Sequence, residues 1–399
     1  MRYLRRTTLT ILIILVTGLF TPVYGISTQD MREATATMPL ASPPSISAQC
    51  AILVEAKSGR VLYEKNPDQK VYPASTTKIM TALLALEEGN PDEKVKVSNN
   101  AVGVEGSSIY LEKDEIIPLK DLIYGLMLRS GNDAAIAISE EIAGSVEDFV
   151  SLMNERAKEM GAENTHFMNP NGLHHDEHYT TARDMAKISI EAMKNPQFKE
   201  VAAAKVWTAD RGEGKYNYFY NKNKVVYQYE GGTGIKIGYT KAAGRTLVAS
   251  SEKDGMELIC VVMNAPNWFQ DTYNLMDYVY NLYETVRIAQ GGTPLMAVLV
   301  DEGDKDFVYV GSKKDILCPV IKTAKDNEPG ENVESLGGDN IGSEDISSST
   351  NNIAIEYVFY DQAKAPIARW QQAGELKIYV DGDYIFSEPL YYLEDIETL

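Results

Sequence analysis

A serine and a lysine three positions apart, Ser75 and Lys78, could act together as a nucleophile and its base. They stand between Pro73 and an apolar stretch that ends at Gly89, which predicts a helix beginning at Ser75. Residues three apart on a helix are neighbours, so the Lys78 amine could take the Ser75 proton if burial or another cation lowers its pKa. The alternative is that Ser75 only caps the helix and Lys78 is solvated, as in most isolated Ser-x-x-Lys patterns.

A second polar motif, Ser130-Gly131-Asn132, lies between helical stretches at residues 119–128 and 134–142. A loop between two helices can present a hydroxyl and an amide to a cleft. In isolation these residue types are equally typical of helix ends and caps. The motif alone therefore does not indicate a functional site, and it does so only in combination with the other motifs.

A third motif, Lys236-Ile237-Gly238, follows the turn Gly231-Gly232 and is predicted to lie on a strand. A glycine after a strand lysine lets the backbone of a ligand approach closely. A lysine on an edge strand also protects against aggregation, so this motif too has a purely structural interpretation.

The elements that would position these motifs form a sheet whose strands are split along the sequence. Residues 51–55 and 60–64 alternate around a glycine turn and predict a β-hairpin. Residues 74–204 are mainly helical, and residues 246–250 and 257–263 predict another hairpin. We therefore expect helices inserted between the first and the last strands of one sheet.

The 399 residues are enough for two or three domains. We predict a signal peptide at 1–25, where a basic start precedes an apolar run too short for a comfortable membrane span, and a linker at 26–48. The main domain is expected at 49–290. Short strands at 294–399 predict an all-β accessory domain, interrupted by a disordered acidic insertion at 323–352.

Charge and composition exclude several classes of partner. The formal net charge is −19, which argues against nucleic acids and anionic membrane surfaces. Residues 391–399 are acidic and few, so we do not expect membrane attachment through them. The predicted signal peptide implies an extracytoplasmic location, either in the cell envelope or secreted.

No metal or cofactor is expected. The crowded histidines at 174–178 lack the further ligands of a zinc site, and no phosphate-binding loop is present. Cys50, Cys260 and Cys318 each lie in or beside an apolar stretch, which favours buried thiols. One disulfide with a leftover thiol is the alternative.

Together the three motifs resemble the Ser-x-x-Lys, Ser-x-Asn and Lys-Thr-Gly set of penicillin-binding proteins and serine β-lactamases. From residue 51 to about residue 282 the chain resembles, more specifically, the low-molecular-weight D-alanyl-D-alanine carboxypeptidases of peptidase family S11. The stretches that carry this resemblance are 73–78, 129–135, 164–167, 169–173, 178–186 and 234–240.

This resemblance implies an α+β fold of the β-lactamase/transpeptidase type, with an antiparallel sheet flanked by helices, an α-helical lobe, and the site between them. It implies a serine D,D-carboxypeptidase that removes the terminal D-alanine from peptidoglycan stem pentapeptides and is acylated by β-lactams. The residues that it assigns to catalysis are Ser75, Lys78 and Ser130. The residues that it assigns to substrate binding are Asn132, Lys236, Gly238 and Tyr239.

One departure from the family concerns Ile237, where the family has threonine. In the family that hydroxyl helps to hold the terminal carboxylate of the substrate, and a hydrogen bond to a charged group is worth about 1.5–3 kcal/mol. We expect weakened carboxylate recognition and not an inactive enzyme, with neither Thr233 nor Thr240 replacing the hydroxyl. The alternatives are a non-hydrolytic wall-binding module and a serine β-lactamase, although the chain lacks a Glu-x-x-Leu-Asn deacylation motif.

Overall fold

The computed structural model describes residues 42–322 and 352–399, which belong to two units. One unit is Pro43–Asn281, and the other lies within Leu282–Leu399. The predicted signal peptide, the linker up to residue 41 and residues 323–351 of the predicted insertion lie outside the described residues. Within the described ranges, no helix combines the length and the apolar character that crossing a bilayer requires.

The first unit mixes helices with mainly antiparallel strands. Its strands are β1 (Cys50–Glu55), β2 (Val61–Lys65), β3 (Lys94–Lys96), β4 (Ile116–Pro118), β5 (Val206–Thr208), β6 (Tyr218–Tyr220), β7 (Gly232–Thr240), β8 (Gly244–Lys253) and β9 (Met256–Met263). The helices in this part of the chain are α1 (Lys78–Glu88), α2 (Leu119–Tyr124), α3 (Asn132–Ala143), α4 (Val146–Glu159), α5 (Ala182–Lys194), α6 (Pro196–Ala203), α7 (Val225–Gln228) and α8 (Trp268–Leu282).

The main sheet of this unit has the strand order β2-β1-β9-β8-β7 and is antiparallel. β9 lies in the middle, and all of its residues are buried. The first hairpin joins the last one through the β1–β9 pair, in which Cys50 faces Met263. Both predicted hairpins and the split of the sheet along the sequence are confirmed.

The helices inserted between β2 and β7 supply most of the core. α1 is buried from Lys78 to Ala85 and packs against α3 and α5, while α5 also packs against β1 and β9. α1 ends at Gly89 as predicted, but it starts later than predicted. Ala74–Thr77 form a 3₁₀ turn ahead of it, a common arrangement at helix N-termini. Ser75 therefore lies in a tight turn just before the α-helix.

The described residues of the second unit form an all-β structure. Its strands are β10 (Tyr283–Ala289), β11 (Met296–Leu299), β12 (Phe307–Gly311), β13 (Ile316–Ile321), β14 (Ile353–Phe359), β15 (Gln372–Val380) and β16 (Asp383–Tyr392). One sheet has the order β11-β12-β16-β15-β14, and β10 pairs with β13. Alternating apolar side chains such as Val308 and Ile378 form its buried clusters.

Two strands of this unit, β10 and β16, were not predicted. β10 belongs here, although its residues were assigned to the first domain, because its hydrogen-bond partner is β13. β16 pairs with β15, but Pro389 and shifts in register interrupt its alternation of apolar and polar residues. Pairing with β13, further along the chain, therefore decides β10, whereas β16 forms a tight hairpin with β15 around the turn Asp381-Gly382.

Candidate active site

Ser75 and Lys78 lie side by side at the start of α1, with 3.2 Å between Lys78 Nζ and Ser75 Oγ. No side chain caps the 3₁₀ turn or the helix that follows it. Lys78 is 0 % exposed. The alternative interpretation of a capping serine beside a solvated lysine is therefore wrong.

Three oxygen atoms surround Lys78 Nζ. Besides Ser75 Oγ, it contacts Asn132 Oδ1 at 2.7 Å and the backbone carbonyl of Asn171. Burial lowers the pKa of Lys78 well below its ordinary value, and the positive charge of Lys236 lowers it further. A neutral amine has two N–H groups and one lone pair, so it can donate to the two amide oxygens and accept the Ser75 proton. The arrangement therefore suits a lysine that acts as a base.

The carbonyl of Asn171 was not predicted as part of this arrangement. Its loop is held in a tight turn by Gly172 N–H, which donates to Asn169 Oδ1 at 2.7 Å. Gly172 has φ +81°, and a Cβ there would lie 1.9 Å from the carbonyl oxygen of Ala74. Only glycine lets this loop lie against the turn that carries Ser75. A backbone carbonyl leaves no side-chain signal in a sequence, and the run of Asn and Gly indicated only a turn.

Ser130 and Asn132 follow a π-helical turn, Gly125–Arg129, that continues α2. Ser130 is buried and has φ 64°, a left-handed conformation that few serines adopt. Asn132 begins α3, and its Nδ2 donates to the carbonyl of Glu105 at 2.5 Å. Single π-helical turns are frequent at functional sites. Here the turn brings the Asn132 amide to Lys78.

The third motif reaches the site on β7, which runs beside the turn that carries Ser75. A Cβ at Gly238 would lie 2.8 Å from the backbone nitrogen of Ser75 and 2.5 Å from Thr246 Oγ1. Thr246 in turn donates to the carbonyl of Pro73 at 3.0 Å. A larger residue than glycine would push the strand away from Ser75. Tyr239 comes next with a side chain 62 % exposed, so its predicted contribution rests on its backbone N–H.

Lys236 is 1 % exposed, and its Nζ donates to the carbonyl of Ile237 at 2.9 Å. Burial, together with the positive charge of Lys222, lowers the pKa of Lys236 to about 7. Lys222 was not predicted, since it lies outside the three motifs; its Nζ is 3.2 Å from Ser107 Oγ. Lys222 and the protonated form of Lys236 together create a positive field beside Lys78, the kind of field that attracts an anionic group.

Ile237 is half-buried on β7, and the nearest threonines along this strand are Thr233 and Thr240. Thr233 Oγ1 lies 2.8 Å from Ser250 Oγ. Thr240 Oγ1 accepts the Ala243 N–H at 3.0 Å. Both hydroxyls have partners within the sheet or its turn, although Thr240 keeps its own O–H as a donor. That neither replaces the missing hydroxyl stays a prediction.

His178 is buried and supports the Ser75 turn from behind. Its Nδ1 accepts the Met168 N–H at 3.1 Å, so Nε2 carries the proton and donates to Thr77 Oγ1 at 2.8 Å. Burial lowers the pKa of His178 to about 3, so the ring stays neutral. Among the described residues, no group of three His, Cys, Asp or Glu side chains is placed to hold a metal ion.

The three cysteines are buried thiols on β1, β9 and β13. No disulfide joins Cys50, Cys260 and Cys318, so the disulfide alternative is wrong. Burial raises the pKa of the Cys50 thiol. A thiol in this state is a poor nucleophile.

Comparison with protein-family models gives two matches. The model described as D-alanyl-D-alanine carboxypeptidase, peptidase S11, matches residues 37–267. The model described as the C-terminal domain of penicillin-binding protein 5 matches residues 343–398. The first match covers more than half of the chain and includes all three motifs.

Individual proteins give the same result over most of the chain. The D-alanyl-D-alanine carboxypeptidase DacF of Bacillus subtilis is 33 % identical over 358 residues, which are 88 % of this chain and 86 % of DacF. The solved structure of penicillin-binding protein 5 from Haemophilus influenzae is 28 % identical, with a TM-score of 0.69, over 90 % of this chain and 99 % of that chain. A mutant of the Streptomyces K15 DD-transpeptidase is 30 % identical, with a TM-score of 0.58, over 60 % of this chain and 100 % of that chain. These likenesses confirm the predicted fold class.

Proposed function

Because the chain belongs to the peptidase S11 family of D-alanyl-D-alanine carboxypeptidases, we propose that Ser75 is the nucleophile with which it removes the terminal D-alanine from peptidoglycan stem pentapeptides. The activity is that of a serine-type carboxypeptidase. The observation that carries the choice of Ser75 is its 3.2 Å contact with the fully buried amine of Lys78. A hydroxyl beside an amine that burial keeps neutral can lose its proton as it attacks.

In the acylation step, Lys78 takes the proton of Ser75, and Ser75 Oγ bonds to the carbonyl carbon between the two D-alanines. The N–H groups of Ser75 and Tyr239 stabilise the negative oxygen that forms. Ser130 passes a proton to the amine of the departing D-alanine as the C–N bond breaks. Ser130 receives in exchange the proton that Lys78 took from Ser75, so Lys78 is neutral again. The rest of the peptide stays on Ser75 as an ester.

Substrate binding depends on the groups around this serine. Asn132 orients the peptide backbone, and Gly238 leaves room for the substrate beside β7. Lys236 attracts the terminal carboxylate, which on binding raises the lowered pKa of that lysine and restores its charge. Water then attacks the ester, with Lys78 as the base, and releases the shortened peptide.

The proposed reaction implies a class of inhibitor, and the start of the sequence supports a location. A β-lactam would acylate Ser75, because its strained amide imitates the D-alanyl-D-alanine end. We place the enzyme outside the cytoplasm, in the cell envelope or secreted, because residues 1–25 have the character of a signal peptide and the substrate is part of the wall. Its work would belong to wall construction and to the control of cell shape.

Mass spectrometry after exposure to benzylpenicillin tests the choice of nucleophile. We expect one penicilloyl group per chain, on the tryptic peptide 71–78, with fragmentation that locates it on Ser75. An adduct on any other peptide would contradict the proposal. Release of the adduct within seconds would favour a β-lactamase, and binding without any adduct would favour a non-hydrolytic module.

Replacing Ile237 with threonine is expected to improve recognition of the terminal carboxylate. One added hydrogen bond to a charged group corresponds to about a 10- to 100-fold increase in kcat/KM for a synthetic pentapeptide, mainly through a lower KM. The matched control is Thr240→Val, which removes the hydroxyl that accepts the Ala243 N–H. It should leave kcat/KM unchanged. The opposite pattern, with no gain in I237T and a loss in T240V, would show that Thr240 already supplies the hydroxyl.

A further inference from the structure

Arg211 is buried in the first unit and uses every N–H of its guanidinium. Its side chain is 0 % exposed and forms a two-bond ion pair with Glu115, at 2.7 and 3.1 Å. The remaining N–H groups donate to the backbone carbonyls of Ile109, Tyr110 and Tyr216 at 2.7 to 2.9 Å. The planar fork of arginine makes these five bonds at once, whereas lysine carries three donors on a single atom.

The other side of the same loop is held by Asp133, the residue that follows Asn132. Its carboxylate accepts the N–H groups of Ile109 and Leu111, at 3.0 and 3.1 Å. Arg211 thus binds carbonyl groups of the loop while Asp133 binds its N–H groups. Two oppositely charged side chains therefore clamp one short segment of backbone.

This segment also holds the amide of Asn132. The carbonyl of Ser107 accepts the Asn132 backbone N–H at 2.7 Å, and the carbonyl of Glu105 accepts from Nδ2 at 2.5 Å. With Nδ2 held in this way, Oδ1 faces Lys78 Nζ at 2.7 Å. A Cβ at Gly106 would lie 2.7 Å from Asn132 Nδ2, so the loop and the amide are in close contact. A shift of the loop must therefore move the amide.

We propose that Arg211 is a positioning residue for the carboxypeptidase reaction, because its bonds to the loop at residues 105–111 hold the Asn132 amide against Lys78. The inference rests on the proposed function, in which Lys78 is the base. Arg211 bonds to the loop, to Glu115 and to the Tyr216 carbonyl, and to none of the reacting groups. Its effect on the rate therefore passes through Asn132.

The test is a double-mutant cycle on the rate at which benzylpenicillin acylates the full-length protein, followed by mass spectrometry. R211K keeps a positive charge for Glu115 but cannot reach all three carbonyls, and we expect acylation about 10-fold slower because a shifted amide misplaces the base. In an N132A background the same substitution should change the rate by less than about twofold, since the group through which Arg211 acts is gone. A loss of equal size in both backgrounds would overturn the inference.

R156K is the matched control, because Arg156 also forms a two-bond ion pair, with Glu87, but has no bond to this loop. R156K should acylate at the wild-type rate, and an equal loss in R156K would overturn the inference by showing general destabilisation.

Should R211K not fold, E115Q is the milder variant. Its acylation rate is expected to fall about two- to fivefold, and only while Asn132 is present. An unchanged acylation rate in E115Q, or a loss of rate that persists in the N132A background, would overturn the inference about Arg211. Failure of the unmodified protein to acylate at Ser75 would instead overturn the proposed function.

Discussion

Replacing Ser75 with alanine is expected to abolish D-alanine release from a synthetic pentapeptide, with a loss in kcat of at least about 10⁴-fold, because no other group can form the ester. Ser75 caps no helix, and its hydroxyl contacts only Lys78 Nζ among the hydrogen bonds described above. The variant should therefore keep its thermal stability. The measurement is D-alanine release at matched protein concentration, together with the unfolding temperature of both proteins.

The chain offers its own control for this experiment. Ser250 and Lys253 on β8 have the same spacing as Ser75 and Lys78. Ser250 Oγ, however, forms a hydrogen bond with Thr233 Oγ1. S250A should release D-alanine at the wild-type rate. Equal release from S75A and the unmodified protein would reject the mechanism, and a loss in S250A alone would move the site to β8.

Replacing Lys78 with glutamine should slow acylation about 10²- to 10⁴-fold, the usual contribution of a general base. Glutamine can still hydrogen-bond to Ser75 and Asn132, so the site should keep its shape while losing the proton acceptor. The pH dependence of kcat/KM carries further information. In the unmodified enzyme it should rise as Lys78 loses its proton, at a pH well below the usual range of lysine.

At higher pH the same profile should fall as Lys236 loses its charge, with an apparent pKa near 7 in the free enzyme. K78Q should lose the rising limb and keep the falling one. Lys222→Gln removes the charge that helps to lower the pKa of Lys236, so it should move mainly the falling limb to higher pH. A rising limb that survives in K78Q would show that another group is the base.

The side chains of the candidate site could be predicted from the sequence, because the chemistry depends on particular residue types at particular spacings. Ser75 and Lys78 are neighbours on any helical turn, and the motifs at Asn132 and Lys236 follow at intervals that the family shares. The structure brings the amide of Asn132 to Lys78, and brings β7 against the backbone of Ser75. Their roles in the reaction are proposals, and the variants described above are designed to test them.

Backbone groups and isolated side chains lay beyond such reasoning. The carbonyl of Asn171 has no side-chain signature, and its position depends on a glycine packed against Ala74. Arg211 and Lys222 belong to no motif, and each contacts a residue far away in the sequence, Ile109 and Ser107 respectively. The strand β10 depends likewise on β13, a partner that lies further along the chain.

The central place of β9 also bears on how the molecule folds. β1 lies early in the sequence, but it gains its second neighbouring strand only when β9 pairs with it, with Met263 opposite Cys50. Contacts between such distant segments form slowly, since a long loop must close before they give any stabilisation. β7 is joined to β1 only through β8 and β9, so we expect hydrolytic competence to emerge last, after the helices are in place. A chain in which β9 has not yet paired would therefore contain Ser75 but could not yet use it for hydrolysis.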